Sequence, residues 1–222
     1  KAVELLPFTA VTGSAPSADA AADGLLVSHI RYAGFQGTIR STTRPIGFDP
    51  TAIEQILAQP GLVNWRKDGG ILVSDNLGGL GLRRFYDPTD QAFDARMVAR
   101  DAILGGNDLL YVDTNFISTG DADSYATLIR TLDFLAQKYR EDQAFAARVD
   151  ASVTRLLTLK YELYPEFALT SVMPAESGLT VVGKNQQVAF DTASQAVTLI
   201  SPSAAELALE IRQQREQRAD VD

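Results

Sequence analysis

Short, nearly continuous apolar runs alternate along the chain with longer stretches of helical period. The first run is Gly24-Leu25-Leu26-Val27-Ser28-His29-Ile30, the second Gly70-Ile71-Leu72-Val73-Ser74-Asp75, the third Asp108-Leu109-Leu110-Tyr111-Val112-Asp113. Runs this short and this apolar predict parallel strands covered on both faces. Asp49 is a candidate N-cap, with Pro50 at the first helical position, for a helix through Ala58. Asp90 to Leu104 reads as an amphipathic helix with Phe93, Met97, Val98, Ile103 and Leu104 near one face, stopped by Gly105-Gly106. Asp123 to Lys138 repeats the pattern through Tyr125, Leu128, Ile129, Leu132 and Leu135. Phe145 to Tyr164 repeats it again through Val149, Val153, Leu156, Leu157, Leu159 and Leu163, and ends at Pro165.

Strands alternating with helices predict a parallel α/β sheet. The runs stand about 40 residues apart, within the range of (β/α)₈ barrel units with long loops. Three βα units cannot close a barrel, so the sheet is either small and open or a piece of a larger one. Past Pro165 the character changes. Residues 166–187 carry Pro174, Gly178 and Gly183 and read as a linker. A helix is expected from near Asn185 to Ala196, a short strand at Val197–Ile200, and a charged helical tail from Ala204 to Arg218. The expected division is thus residues 1–165 and 166–222.

Composition narrows the chemistry. The 222 residues are 45% hydrophobic, enough for one sizeable core, and no apolar run nears the roughly 20 residues that span a bilayer. A formal net charge of −8 disfavours nucleic acid and anionic membrane surfaces as partners. With no cysteine and one histidine, His29, thiolate and two-histidine metal sites are excluded, while a metal site from Asp75, Asp113 and His29 stays geometrically open. A serine nucleophile needs a paired base, so Ser28 and Ser74 are expected to satisfy neighbouring groups rather than attack. Gly78-Gly79-Leu80-Gly81 lacks the ending of a phosphate-binding loop.

Active sites of parallel α/β barrels form at the carboxyl ends of the strands. The polar endings Ser28-His29, Ser74-Asp75 and Asp113 fall there. Asp75 is the sharpest candidate, because a glycine-bearing loop, Asn76-Leu77-Gly78-Gly79, follows it. Read from spacing alone, it serves equally well as a cap for the next helix. Asp113 is expected to hold a structural hydrogen bond. Arg31 and Arg44 either bind substrate or sit on the rim. Arg83-Arg84-Phe85-Tyr86 reads as a loop after the second strand, and Asp19, Asp23, Asp121 and Asp123 as caps and surface charge.

Gly69 to Gly78, an apolar run ending in Ser74-Asp75, resembles the strand-seven motif of glycoside hydrolase family 3. Other blocks are similar in order and spacing: Leu5-Leu6-Pro7-Phe8 before strand six, Val27 to Tyr32 at its end, Arg44-Pro45-Ile46 with Asp49-Pro50, and Ala99 to Leu110 between helix seven and strand eight. The likeness covers residues 3–164 and implies the last three βα units of a (β/α)₈ barrel. Gln187 to Ser201 resembles the linker toward the family's second domain, so the chain looks cut at both ends.

The resemblance implies a retaining glycosidase of bacterial carbohydrate metabolism, most similar to the β-N-acetylhexosaminidases. Asp75 would be the nucleophile forming a covalent glycosyl-enzyme, and His29, Ser74, Asn76 and Arg31 would bind the sugar. It implies no cofactor, a carbohydrate substrate, and the rest of the barrel as a partner. The two catalytic groups of a retaining site stand roughly 5 Å apart. The hexosaminidase acid/base, a His within a Lys-His-Phe-Pro-Gly-His-Gly type loop, has no match here, and His29 does not fill that role. Asn76 departs from the acidic or aromatic residue usual after the nucleophile. A β-glucosidase or β-xylosidase of the family, with a Glu acid/base from a second domain, and a non-catalytic barrel fragment remain the rivals.

Overall fold

In the computed structural model, which describes residues 3–166, 168–173, 175–196, 203 and 206–212, the first two apolar runs form strands β1 (Gly24–Val27) and β2 (Ile71–Ser74). They pair in parallel, Gly24 with Ile71 through Val27 with Ser74. The third run lies along the other side of β2, but it makes a single parallel bridge, Val73 to Leu109, rather than the expected strand. The ladder starts normally, with Leu109 N donating to Leu72 O (3.1 Å) and Ser74 N to Leu109 O (2.9 Å). It then breaks because Tyr111 N donates to the Ser74 side-chain Oγ (2.9 Å) instead of a backbone carbonyl. The three runs thus stand side by side in chain order with β2 in the centre.

The faces differ. Leu25, Val27 and Leu72 pack with Ile53, Leu62 and Trp65 beneath the helices. On the opposite face, by period two, stand Leu26, Val73 and Leu109, and Leu26 (55% exposed) and Leu109 (46%) are open. Coverage on both faces, expected from the apolar runs, is therefore complete on one face and partial on the other. On that same side Ile71, two residues before Val73, is buried (4% exposed), so the opening lies at Leu26 and Leu109 on either flank of the central strand.

Helices surround the sheet as α1 (Leu6–Ala10), α2 (Ala33–Gln36), α3 (Pro50–Leu57), α4 (Val63–Lys67), α5 (Leu80–Tyr86), α6 (Ala95–Gly105), α7 (Ser124–Glu141) and α8 (Gln143–Leu163). Short side chains cap four of them. Asp49 accepts from Ala52 N, Asp94 from Arg96 N, Asp123 from Ala126 N and Asp142 from Phe145 N. The helix expected from Asp90 begins later, at Ala95, since Asp94 takes the cap and Asp90 sits at φ 56° in a turn. Arg83-Arg84-Phe85-Tyr86 is the body of α5 rather than a loop. Leu82 on that helix is buried with Phe48, Leu77, Phe93, Val98 and Phe116 in the main core.

The expected apolar faces of α7 and α8 are divided: Leu128, Leu135, Val149, Leu156 and Leu159 are half-buried and Phe145 is buried, but the rest turn outward. Thr127, Thr131 and Ser152 are buried, whereas Tyr125, Ile129 and Leu132 on α7, and Val153, Leu157 and Tyr161 on α8, face solvent. Threonine can turn inward because its hydroxyl is satisfied locally, as Thr131 Oγ1 donates to Thr127 O (2.8 Å).

The chain divides into two compact units, Lys1–Glu166 and Phe167–Asp222. In the second, α9 (Leu169–Val172) and α10 (Glu176–Leu179) lie within the expected linker, and α11 (Gln186–Ala196) matches the helix expected there. Residues 206–212 are helical. The strand expected at Val197–Ile200 and the remainder of the tail helix lie outside the described residues. Among the described residues no helix is long and apolar enough to cross a membrane.

Candidate functional site

The parallel register brings the three polar endings to one edge of the sheet. Ser28, Asp75 and Asp113 follow β1, β2 and the bridged run on the same side. Asp75 is fixed by its backbone, since its N–H donates to Val27 O across the sheet (3.1 Å). Its side chain is half-buried, and Oδ1 accepts from the next backbone N–H, that of Asn76 (2.8 Å). It does not cap α5, whose N-cap residue is Gly79 and has no side-chain cap bond. The other oxygen, Oδ2, has no hydrogen-bond partner among the described residues.

Asn76 is gripped on three sides. Its carbonyl meets His29 Nε2 (2.8 Å), its Nδ2 donates to Asp113 Oδ2 (2.8 Å), and its Oδ1 accepts from Gly78 N (2.9 Å). The carbonyl can only accept, so His29 carries its proton on Nε2. Its Nδ1 is buried without a hydrogen-bond partner among the described residues. The His29 ring leans on Phe48, with centroids 5.6 Å apart.

Asp113 also accepts from Asn115 N and Asn115 Nδ2, both at 2.9 Å. Donation from Asn76 holds its carboxyl below the usual range; slight desolvation opposes this and Asn115 adds to it. Gly78 makes the approach possible: a Cβ there would lie 2.2 Å from Asp113 Oδ1.

Two hollows open beside this cluster and share Gly79. One, of about 540 Å³, is lined by His29, Arg31, Pro45, Leu82 and Phe85 among others. The second, of about 670 Å³, is lined by Gly78, Arg83, Asn115 and Asp121 among others. Both are large enough for a sugar ring. Asp75 lines neither.

Among the other expected site residues, Arg31 lies on the rim, its guanidinium 5.3 Å from the centre of the Phe85 ring and Nη2 donating to Ser41 O (3.3 Å). Ser74 is completely buried and its hydroxyl oxygen is taken by Tyr111 N, so the structure gives it to the wall rather than to a ligand. Asn76 has both side-chain ends committed within the protein, which makes it a poor direct sugar ligand. Arg44 offers its carbonyl to Gln36 Nε2 (2.9 Å). Among the described residues no group of three or more His, Asp or Glu could hold a metal ion.

At the opposite, amino end of the strands lies a cluster that the sequence reading did not single out. Asp108, fully buried, pairs with Arg66, Arg148 and Arg155. A signal was present: Arg148, Ser152 and Arg155 recur at i, i+4 and i+7 on one face of α8.

The fold and site together define an α/β protein with a parallel sheet and two carboxylates at its carboxyl edge. No family model matches the sequence, and no curated protein matches it significantly. Among solved structures the chain is similar to a β-N-acetylhexosaminidase from Beutenbergia cavernae, with 21% identity and a TM-score of 0.45. The match covers 64% of this chain and 34% of that one, so the chain spans about a third of that protein's length. At this level the likeness fixes neither an activity nor the role of any residue.

Proposed function

We propose that this chain is part of a (β/α)₈ glycosidase of family 3 type that removes terminal β-linked N-acetylhexosamine with retention. Asp75 is its nucleophile. The observation that carries the reading is the state of Asp75. It ends the central strand at the carboxyl edge, its backbone is bound to β1, it caps no helix, and one carboxylate oxygen is uncommitted. A nucleophilic carboxylate needs that combination of a rigid backbone and a free oxygen. The acid/base comes from outside these residues, as do the parallel strands that cover Leu26, Val73 and Leu109 and close the barrel. His29 and Arg31 line the sugar hollow.

In double displacement, Oδ2 of Asp75 attacks the anomeric carbon while an acid protonates the departing oxygen. Water then releases the sugar from the ester. The test uses the longest polypeptide that contains these residues. It is incubated with 4-methylumbelliferyl N-acetyl-β-glucosaminide, and separately with a 5-fluoro-N-acetylglucosaminyl fluoride to trap the intermediate. The expected result is turnover, with the label on the peptide carrying Asp75, and loss of both in Asp75→Asn. Label on another peptide, or turnover unchanged by Asp75→Asn, removes Asp75 from the mechanism. A non-catalytic barrel piece is the rival, favoured by the fact that Asp75 lines neither hollow. It predicts neither turnover nor label.

A further inference from the structure

We infer that Asp113 is a positioning residue that sets the direction of the Asp75 carboxylate through Asn76. The inference rests on the assignment of Asp75 as nucleophile and adds a residue to it.

Asp75 Oδ1 is held by the N–H of Asn76 (2.8 Å), so the plane of the Asp75–Asn76 peptide decides where Oδ1 sits and therefore where Oδ2 points. The last ladder bond, from Asp75 N–H to Val27 O, lies one peptide earlier, so the Asp75–Asn76 peptide itself is outside the ladder. What holds it is the Asn76 side chain, tied to Asp113 Oδ2 (2.8 Å) and to Gly78 N (2.9 Å), together with the His29 contact to its carbonyl (2.8 Å). The next residue continues the anchorage, as Leu77 N donates to Tyr111 O (2.9 Å), two residues before Asp113.

Asp113 is itself immobilised by both nitrogens of Asn115 that reach it. It accepts one bond on Oδ1 from Asn115 N and two on Oδ2, from Asn76 and Asn115. Most of its accepting capacity is spent inside the protein, which suits a fixed post better than a sugar ligand. Its partner must be an amide. A carboxylate at position 76 would face Asp113 as a like charge, whereas Asn76 donates to Asp113 and accepts from Gly78 at once. The absence of a side chain at Gly78 is part of the same device, because a Cβ would collide with Asp113 Oδ1.

The pair also offers its own rescue. Exchanging the two residues, Asn76→Asp with Asp113→Asn, reverses the direction of the bond between them and keeps an acceptor for Gly78 N, and the Asn115 amide, which now donates to the same oxygen, must turn so that its Oδ1 accepts. The experiment measures the rate of covalent labelling by the 5-fluoro-N-acetylglucosaminyl fluoride in the longest polypeptide containing these residues. Affinity for N-acetylglucosamine and the thermal midpoint are measured alongside. Asn76→Asp and Asp113→Ala are each expected to slow labelling by about 10–100-fold, the scale of a misdirected reacting group. Sugar affinity should stay within about 2-fold, and the double exchange should recover most of the rate. A merely structural role would lower midpoint and affinity together and would not be rescued in rate. Wild-type labelling in both single variants, or a double exchange as slow as Asn76→Asp, overturns the positioning role. If Asp75→Asn itself still takes the label, the nucleophile assignment fails and the positioning role fails with it. If Asp75→Asn alone loses the label, the nucleophile stands and only the role of Asp113 is refuted.

Discussion

The Asp108 carboxylate is fully buried against the Arg66 guanidinium, which also donates to the carbonyl of Gly70 (2.6 Å). Around this pair, Leu72 N donates to Oδ2 (2.9 Å), Ser152 Oγ donates to Oδ1 (2.8 Å), and Arg148 stands 3.3 Å and Arg155 3.6 Å from Oδ1. One carboxylate thus joins α4, the central strand and α8 at the amino end of the sheet. Replacing Asp108 by Asn leaves three guanidiniums facing a neutral amide, two of them largely buried. Breaking a buried pair in this way costs about 3–5 kcal/mol. Urea unfolding of Asp108→Asn should show a loss of that size, and a loss below about 1 kcal/mol would show that water screens the cluster.

The same group governs acid stability. Burial by itself raises the Asp108 carboxyl, but Arg66, the Leu72 amide and Ser152 outweigh it and hold the carboxyl below its ordinary value. A depressed carboxyl contributes stability that is complete above the unfolded value, about 3.9, and is lost as pH falls through the folded value. The protein should therefore lose stability steeply below about pH 4, and Asp108→Asn should flatten that descent. Parallel pH–urea titrations of the two proteins decide it.

Tyr86 is the alkaline counterpart. Its hydroxyl donates to Asp101 (3.1 Å). Burial, then the Asp101 charge and that hydrogen bond, push its ionisation well above the usual value. A raised acid of this kind stabilises fully below about pH 10 and loses its contribution as pH rises beyond it. Absorbance at alkaline pH should show a late tyrosine step that Tyr86→Phe removes. The same substitution should cost about 1 kcal/mol at neutral pH through the lost hydrogen bond.

Two glycines predict opposite outcomes. A Cβ on Gly105 would fall 2.3 Å from Gly47 O and 2.8 Å from Phe48 Cα, where α6 lies directly on the turn Ile46–Phe48. Both obstacles are backbone, so Gly105→Ala should cost about 1–3 kcal/mol. Gly81, in the first turn of α5, meets nothing within 4 Å and lacks positive φ. Gly81→Ala should be neutral or stabilising by up to about 1 kcal/mol. Thermal midpoints of the two variants separate the cases.

The outward stripe of α7 and α8 predicts association. Leu132 is 53% and Leu157 59% exposed on neighbouring helices that Tyr139 OH and Asp150 join at 2.8 Å. Leu132→Lys and Leu157→Lys should change stability by no more than about 0.5 kcal/mol. They should lower self-association of this chain in sedimentation, because apolar surface of this kind is sticky when open. Unchanged sedimentation would show that the stripe is not the contact.

Local chemistry was legible wherever one segment decides. Asp49 with Pro50 announced α3, and α11 was found close to its ends, because caps, proline and helical period act within a few residues. The apolar runs that became β1 and β2 were legible for the same reason. Beyond that reach lay the third run, whose ladder fails because Ser74 Oγ intercepts Tyr111 N, a bond between residues 37 apart in sequence. On α7 the expected face was right for Leu128 and Leu135 and wrong for Tyr125, Ile129 and Leu132, since which side of an amphipathic helix is buried depends on what stands beside it.

Sequence by itself determined the parallel α/β character, the caps at Asp49 and Asp123 and the position of Asp75 at a strand's end, all set by short-range sterics and periodicity. Tertiary structure alone decided that Asp113 would reach Asn76, that Asp108 would gather three arginines, and that one face of the sheet would stay open at Leu26 and Leu109. Those relationships depend on which segments become neighbours, and no local pattern encodes the separation of side chains that lie tens of residues apart.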